Sequence, residues 1–122
     1  MRVGIDPDVL RRFLGDDPEM ERGIVEDFVS AAQSAISEIH AAVDAVLAEQ
    51  VERVSHKLKG SSSLVGAYQL MEVCAQLEVA GENGDWPTVH QLNSRLDELM
   101  SDVERSAAVF LGSPAVYSLL SG

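Results

Sequence analysis

The sequence is short of cysteine, lysine, aromatic residues and proline: one, two, six and four of them in 122 residues. The single cysteine, Cys74, cannot close an internal disulfide, so nothing ties the chain to an oxidising compartment. No run of about 18 apolar residues is present, and the N-terminus lacks a basic, apolar-cored leader. A cytoplasmic protein is the expectation. Positive charge is scarce as well, with 9 basic residues against 20 acidic ones and a formal net charge of −11. Nucleic acid needs a basic footprint to displace its counterions, and an anionic membrane face needs the same, so neither is an expected partner. Alternating apolar and polar runs bounded by Asn-Gly or Asp-Gly turns are missing, which removes the usual marks of strands. There is no repeat of 20–50 residues. Neither G-x-x-x-x-G-K-[ST] nor G-x-G-x-x-G occurs, so no nucleotide-cradling loop is expected.

What remains is apolar material at helical spacing. The composition is 46% hydrophobic with mean hydropathy +0.04, enough to offset the entropy of one ordered domain. Asp6-Pro7 and Asp17-Pro18 each place an N-capping carboxylate before a proline at the first helical position, and Gly15 closes the short helix between them. From Met20 the apolar positions Ile24, Phe28, Ala31/Ala32, Ala35, Ile39 and Val43 recur every three or four residues. No Gly or Pro lies between Gly23 and Gly60, yet one rod over that span would be about 55 Å long, too long for so small a domain. A turn is therefore expected within residues 44–48. The next helix carries Val51, Val54, Leu58, Ser61/Ser62 and Val65 inward, with Gly66 as a turn. A further one carries Leu70, Val73, Cys74, Leu77 and Ala80 until Gly81-Glu82-Asn83-Gly84 breaks it. Asp85-Trp86-Pro87 restarts the chain, and Val89, Leu92, Leu96, Leu99, Val103 and Ala107 form a last stripe. The expected fold is all-α: an antiparallel four-helix bundle with a short N-terminal helix over residues 1–112, followed by a short C-terminal tail, 113–122.

Three histidines differ in helical phase. His40 and His90 each follow an apolar stripe residue, as side chains covering the edge of a core do. His56 stands about 200° from Val54 and about 160° from Leu58, so it projects into solvent. Lys59 and Gly60, at i+3 and i+4, share its face. Glycine inside a helix costs about 1 kcal/mol relative to alanine, and such a position commonly lets another group approach the backbone. An exposed imidazole beside an ammonium and a bare patch of backbone suits a nucleophile that takes a phosphoryl group from a docking protein. Both lysines of the chain, Lys57 and Lys59, flank this histidine. A phosphoryl group adds about two negative charges, and this is the basic spot able to bear them.

The run His56-Lys57-Leu58-Lys59-Gly60-Ser61-Ser62-Ser63-Leu64-Val65-Gly66-Ala67, with Leu70, Cys74 and Leu77-Glu78 after it, resembles the histidine-containing phosphotransfer (HPt) domain of multistep two-component phosphorelays. The family pattern is close to H-x-L-K-G-S/A-S/A-x-x-x-G, and the helical reading of residues 6–110 also suits it. The resemblance implies that His56 accepts phosphate from a receiver-domain aspartate and passes it to another receiver. It implies that Lys59 stabilises the phosphoryl group, that Gly60 and Lys57 face the docked receiver, and that Glu78 occupies a position where some members carry an acidic or amide side chain. The carrier would need no cofactor of its own, with Mg²⁺ expected on the receiver domain, and would be a phosphocarrier rather than an enzyme. Partners would be receiver domains, alone or within a hybrid kinase, and the carrier itself a monomer. The chain departs from the family near residues 44–47, where many members have a Gly-containing turn.

Other readings of the same residues stand beside this one. Alone, Lys59 reads as a solvated charge and Gly60 equally as a site of close helix packing. Ser61 and Ser62 read as small inner-face residues, Cys74 as an inert core thiol and Trp86 as a plug at one end of the bundle. A metal site using His40, His56, Cys74 and His90 would need those side chains to converge, which their phases oppose. A helical adaptor without phosphate chemistry, and the phosphoryl-accepting domain of a chemotaxis-type kinase, are the alternative functions.

Overall fold

The structure, a computed structural model, describes residues 4–112. The tail expected at 113–122 lies outside the described residues. Six helices follow one another: α1 (Pro7–Leu14), α2 (Pro18–Asp44), α3 (Ala48–Leu64), α4 (Tyr68–Asn83), α5 (Trp86–Asn93) and α6 (Leu96–Leu111). No strand occurs among the described residues. The start signals act as expected. Asp6 and Asp17 accept hydrogen bonds from the backbone amides of Asp8 and Met20, and Pro7 and Pro18 open their helices.

α2 packs against α3, α5 and α6, and α4 packs against the same three, so four arms surround one core. The fourth arm is shared. The final apolar stripe was expected on one helix, but the backbone breaks at Ser94–Arg95 and divides it into α5 and α6. The break leaves the stripe intact: Val89, Leu92, Leu96, Leu99, Val103 and Ala107 are all buried. Two further details differ from the sequence reading. The buried face of α2 is centred on Val25, Val29, Ala32 and Ile36, with Ile24 and Ala35 only packed at its margin. α4 continues through Gly81 and ends at Gly84, which takes the left-handed conformation at φ 66°.

Helix α1 is moored across one end of the bundle. The Asp6 amide donates to the Val65 carbonyl at 2.8 Å, and the Ile5 amide donates to Ser106 Oγ at 3.1 Å. Gly66 makes the mooring possible. Its φ is +69°, and a Cβ there would lie 2.5 Å from the Cβ of Asp6. The second glycine of the sequence motif thus serves the fold, through the α3–α4 turn.

The turn expected within residues 44–48 is present at 45–47, but Val46 makes it without glycine, at φ +57°. A β-branched residue in the left-handed region is strained by about 1–2 kcal/mol, and Val46 is exposed, so little packing repays that cost. Val46→Gly is therefore expected to raise stability by about 1 kcal/mol in urea unfolding, the relief of strain exceeding glycine's added chain entropy. Gly66→Ala is expected to lower it by at least about 2 kcal/mol, since the new methyl meets Asp6 and the φ is wrong for alanine.

Candidate functional site

Helix α3 turns Val51, Val54, Ser55, Leu58 and Ser62 into the core, which leaves His56 on the outer face with 67% of its side chain exposed. Lys57 is exposed beside it and Lys59 is half-buried along the α3–α4 seam. Gly60 is exposed, and a Cβ built on it meets nothing within 4 Å. Close packing inside the described residues therefore does not account for this glycine, and the bare backbone faces outward.

Among the described residues, α3 and α4 make the most extensive helix pair. Gly81 of α4 is buried at this seam, and a Cβ there would make ordinary contact with the Ala48 carbonyl and Val51 Cγ1 at 3.4 Å. One turn earlier on α4, Glu78 follows the fully buried Leu77 and reaches across the seam from its edge. Its carboxylate meets two partners at once. Oε2 lies 2.6 Å from His56 Nδ1, and Oε1 accepts from Lys59 Nζ at 2.7 Å. Only 21% of the Glu78 side chain is exposed. The hydrogen bond from Lys59 is the chief reason its carboxyl is held below the usual carboxylate range. Partial burial opposes this, and the bond and charge of His56 add to it.

Sequence reading missed the surroundings of His56. Glu49, Glu52 and Arg53 join His56 and Glu78 around a shallow depression of about 380 Å³. The signal was available, since Glu52 and Arg53 lie at i−4 and i−3 from His56 on the same face. The Arg53 guanidinium donates to Gln50 Oε1. On its far side Arg53, with Lys57, borders a second, larger groove between α2 and α3, floored by Ala31, Ala35, Val54 and Leu58.

The remaining sequence candidates disperse. His40 sits between Asn93 Oδ1 at 2.7 Å and Asp97 Oδ1 at 2.9 Å, tying α2 to the α5–α6 junction. Desolvation lowers its proton affinity, but hydrogen bonds to Asp97 and Asn93 and the charges of Asp97 and Asp44 together raise it above the ordinary value. His90 is exposed beside Trp86, the ring centroids 6.3 Å apart. Trp86 itself packs against the core. Cys74 is buried, and desolvation pushes its thiol up to about 12 against a small opposing effect of Lys59, as befits an inert core thiol. Ser62 is fully buried, whereas the half-buried Ser61 returns its hydroxyl to the Leu58 carbonyl. Among the described residues, no three His, Cys, Asp or Glu side chains are grouped to hold a metal ion. No helix described is long and apolar enough to cross a membrane.

With this geometry in view, comparison with known proteins is informative. A family model described as the Hpt domain matches residues 23–105. Among solved structures, the chain is similar to histidine-containing phosphotransfer protein B (HptB) from Pseudomonas aeruginosa. The TM-score is 0.64 at 25% identity, over 96% of this chain and 90% of that one. No curated protein matches the sequence significantly.

The bridge makes a prediction for acid stability. The ordinary carboxyl value is 4.5, and that of Glu78 is lower in the folded state. Its contribution to stability is thus complete above about pH 4.5 and is lost as pH falls through the lowered folded value. Glu78→Gln should unfold more readily than the parent at pH 7, and the gap should narrow steadily below pH 4.5, as followed by urea titration at each pH.

Proposed function

The chain belongs to the Hpt domain family and is a histidine phosphotransfer carrier of phosphorelay signalling, and on that premise we propose that His56 is the residue that carries the phosphoryl group. The observation that supports this most is the pairing of His56 Nδ1 with the Glu78 carboxylate at 2.6 Å. A carboxylate can only accept, so Nδ1 carries the hydrogen of the neutral ring and donates it. The lone pair is then on Nε2, the nitrogen free to act as nucleophile on a ring that is two-thirds exposed.

The reaction follows from that tautomer. A receiver domain bearing an aspartyl phosphate docks over the His56 face. Nε2 attacks phosphorus, the bond from phosphorus to the aspartate oxygen breaks, and the carboxylate departs with the electron pair. Lys59, one turn along α3, supplies positive charge near the incoming phosphoryl group. Gly60 puts no side chain in the way of the receiver backbone, and Lys57 offers an exposed ammonium at the same face. The receiver contributes Mg²⁺ to neutralise charge on the phosphoryl oxygens, as is general in phosphoryl transfer. This carrier neither binds ATP nor phosphorylates itself, in keeping with its lack of a phosphate-cradling loop, and acts as a monomer that exchanges one receiver for another. Glu78 acts as a positioning residue, fixing the tautomer and the ring plane.

His56→Gln should retain the parent's helical circular dichroism, because the side chain points out of the core, and should take no label from a ³²P-loaded receiver. Label surviving in that variant would place the phosphoryl group elsewhere. Lys59→Ala should still be labelled, at a rate reduced by about tenfold or more, the scale of one charge-assisted hydrogen bond.

A further inference from the structure

We propose that Glu78 holds a proton on Nδ1 of the phosphorylated His56 ring and thereby keeps the phosphoryl group labile. This rests on His56 being the carrier. It concerns what happens to the phosphoryl group after loading.

The carboxylate is held against the ring from two sides. Its two oxygens are engaged by two side chains one helical turn apart on α3, His56 at 2.6 Å and Lys59 at 2.7 Å, and its side chain is half-buried in the α3–α4 seam. Loading forms the Nε2–P bond and leaves the Nδ1–H bond untouched, so the product ring carries both and is positively charged. Beside Glu78 that N–H becomes a charge-assisted donor. Were the proton lost, the Nδ1 lone pair would face a carboxylate oxygen with no hydrogen between them, two acceptors in contact. The remaining charges around the ring are on α3 itself: Glu49 and Glu52 add negative potential, while Arg53, bonded to the neutral Gln50, and the exposed Lys57 keep their positive charge, so the direct contact with Glu78 of α4 is the term that decides. The arrangement favours the protonated ring.

Protonation decides what kind of leaving group the histidine is. When a nucleophile attacks phosphorus, the Nε2–P bond breaks and its electron pair returns to Nε2. From the protonated ring the product is neutral imidazole, with Nδ1–H still bonded to Glu78, and no proton need move. From an unprotonated ring it would be the imidazolate anion, a much poorer leaving group. Glu78 acts in the same direction through Lys59. The ammonium is already paired with Oε1, so its charge is divided between carboxylate and phosphoryl group rather than given to the latter. Both effects make the phosphohistidine a donor rather than a store.

The full chain, loaded chemically with potassium phosphoramidate, tests this without a receiver. Nitrogen-15 NMR of the loaded parent at about pH 8, where a solvated imidazole is neutral, should show the proton still on Nδ1. The phosphoryl group should be lost to water about tenfold faster from the parent than from Glu78→Gln, the scale of one hydrogen bond to a charged group. A loaded parent whose Nδ1 is bare, or equal rates of loss in parent and variant, overturns the proposal while leaving His56 as the carrier. If phosphoramidate labels residues other than His56, the carrier assignment itself fails and this inference with it. The NMR measurement uses the parent alone, so it stands whether or not the variant folds well.

Discussion

Glutamate is long enough to reach from one helix to a histidine and a lysine on the next only where the two backbones run close together. In this molecule α3 and α4 run that close along their seam, where Gly81 is buried opposite Ala48 and Val51. The seam formed there carries Glu78 to within hydrogen-bonding distance of His56 and Lys59. Ring orientation, tautomer and the state of the neighbouring ammonium all follow from it. The rest of the bundle supports this one seam: α2 backs α3, α5 and α6 back α4, and α1 is moored over the turn that joins the pair.

Charge is distributed in keeping with this arrangement. The chain is strongly acidic, at −11, and its two lysines both lie next to the histidine. One of them is neutralised by Glu78 and the other is exposed. Around His56 the cations Arg53, Lys57 and Lys59 are thus mixed with the carboxylates of Glu49, Glu52 and Glu78, inside a strongly acidic surface. Such fields act over about 8–10 Å at moderate salt, so they bear on approach and partner choice more than on the strength of the final complex.

Most of the architecture was legible in the sequence, and the exceptions have physical reasons. Proline and aspartate announce the starts of α1 and α2 because capping is a local interaction between neighbours in the chain. The turn at 45–47 carried no such signal, since Val46 occupies a conformation that its own chemistry disfavours. Only the length of the resulting rod revealed that a turn was needed. The break between α5 and α6 was invisible for a different reason. The apolar stripe runs through it in register, and periodicity reports which face is buried, not whether the backbone is continuous. Gly66, by contrast, was seen in the motif, but its purpose was not, because the crowding that demands glycine comes from Asp6, sixty residues away.

The candidate site divides along the same line. Exposure of His56, the sharing of its face by Lys59 and Gly60, and the concentration of lysine beside it follow from helical spacing and composition, so the sequence alone determined them. The helix edge on which Glu78 stands was also readable, from its place after Leu77. That its carboxylate would spend one oxygen on the imidazole and the other on the ammonium was decided by tertiary structure. Such a contact depends on the separation and rotation of two helices, to within a fraction of an ångström. Those are set by the packing of the whole core around Leu77 and Leu58, and no local pattern encodes them.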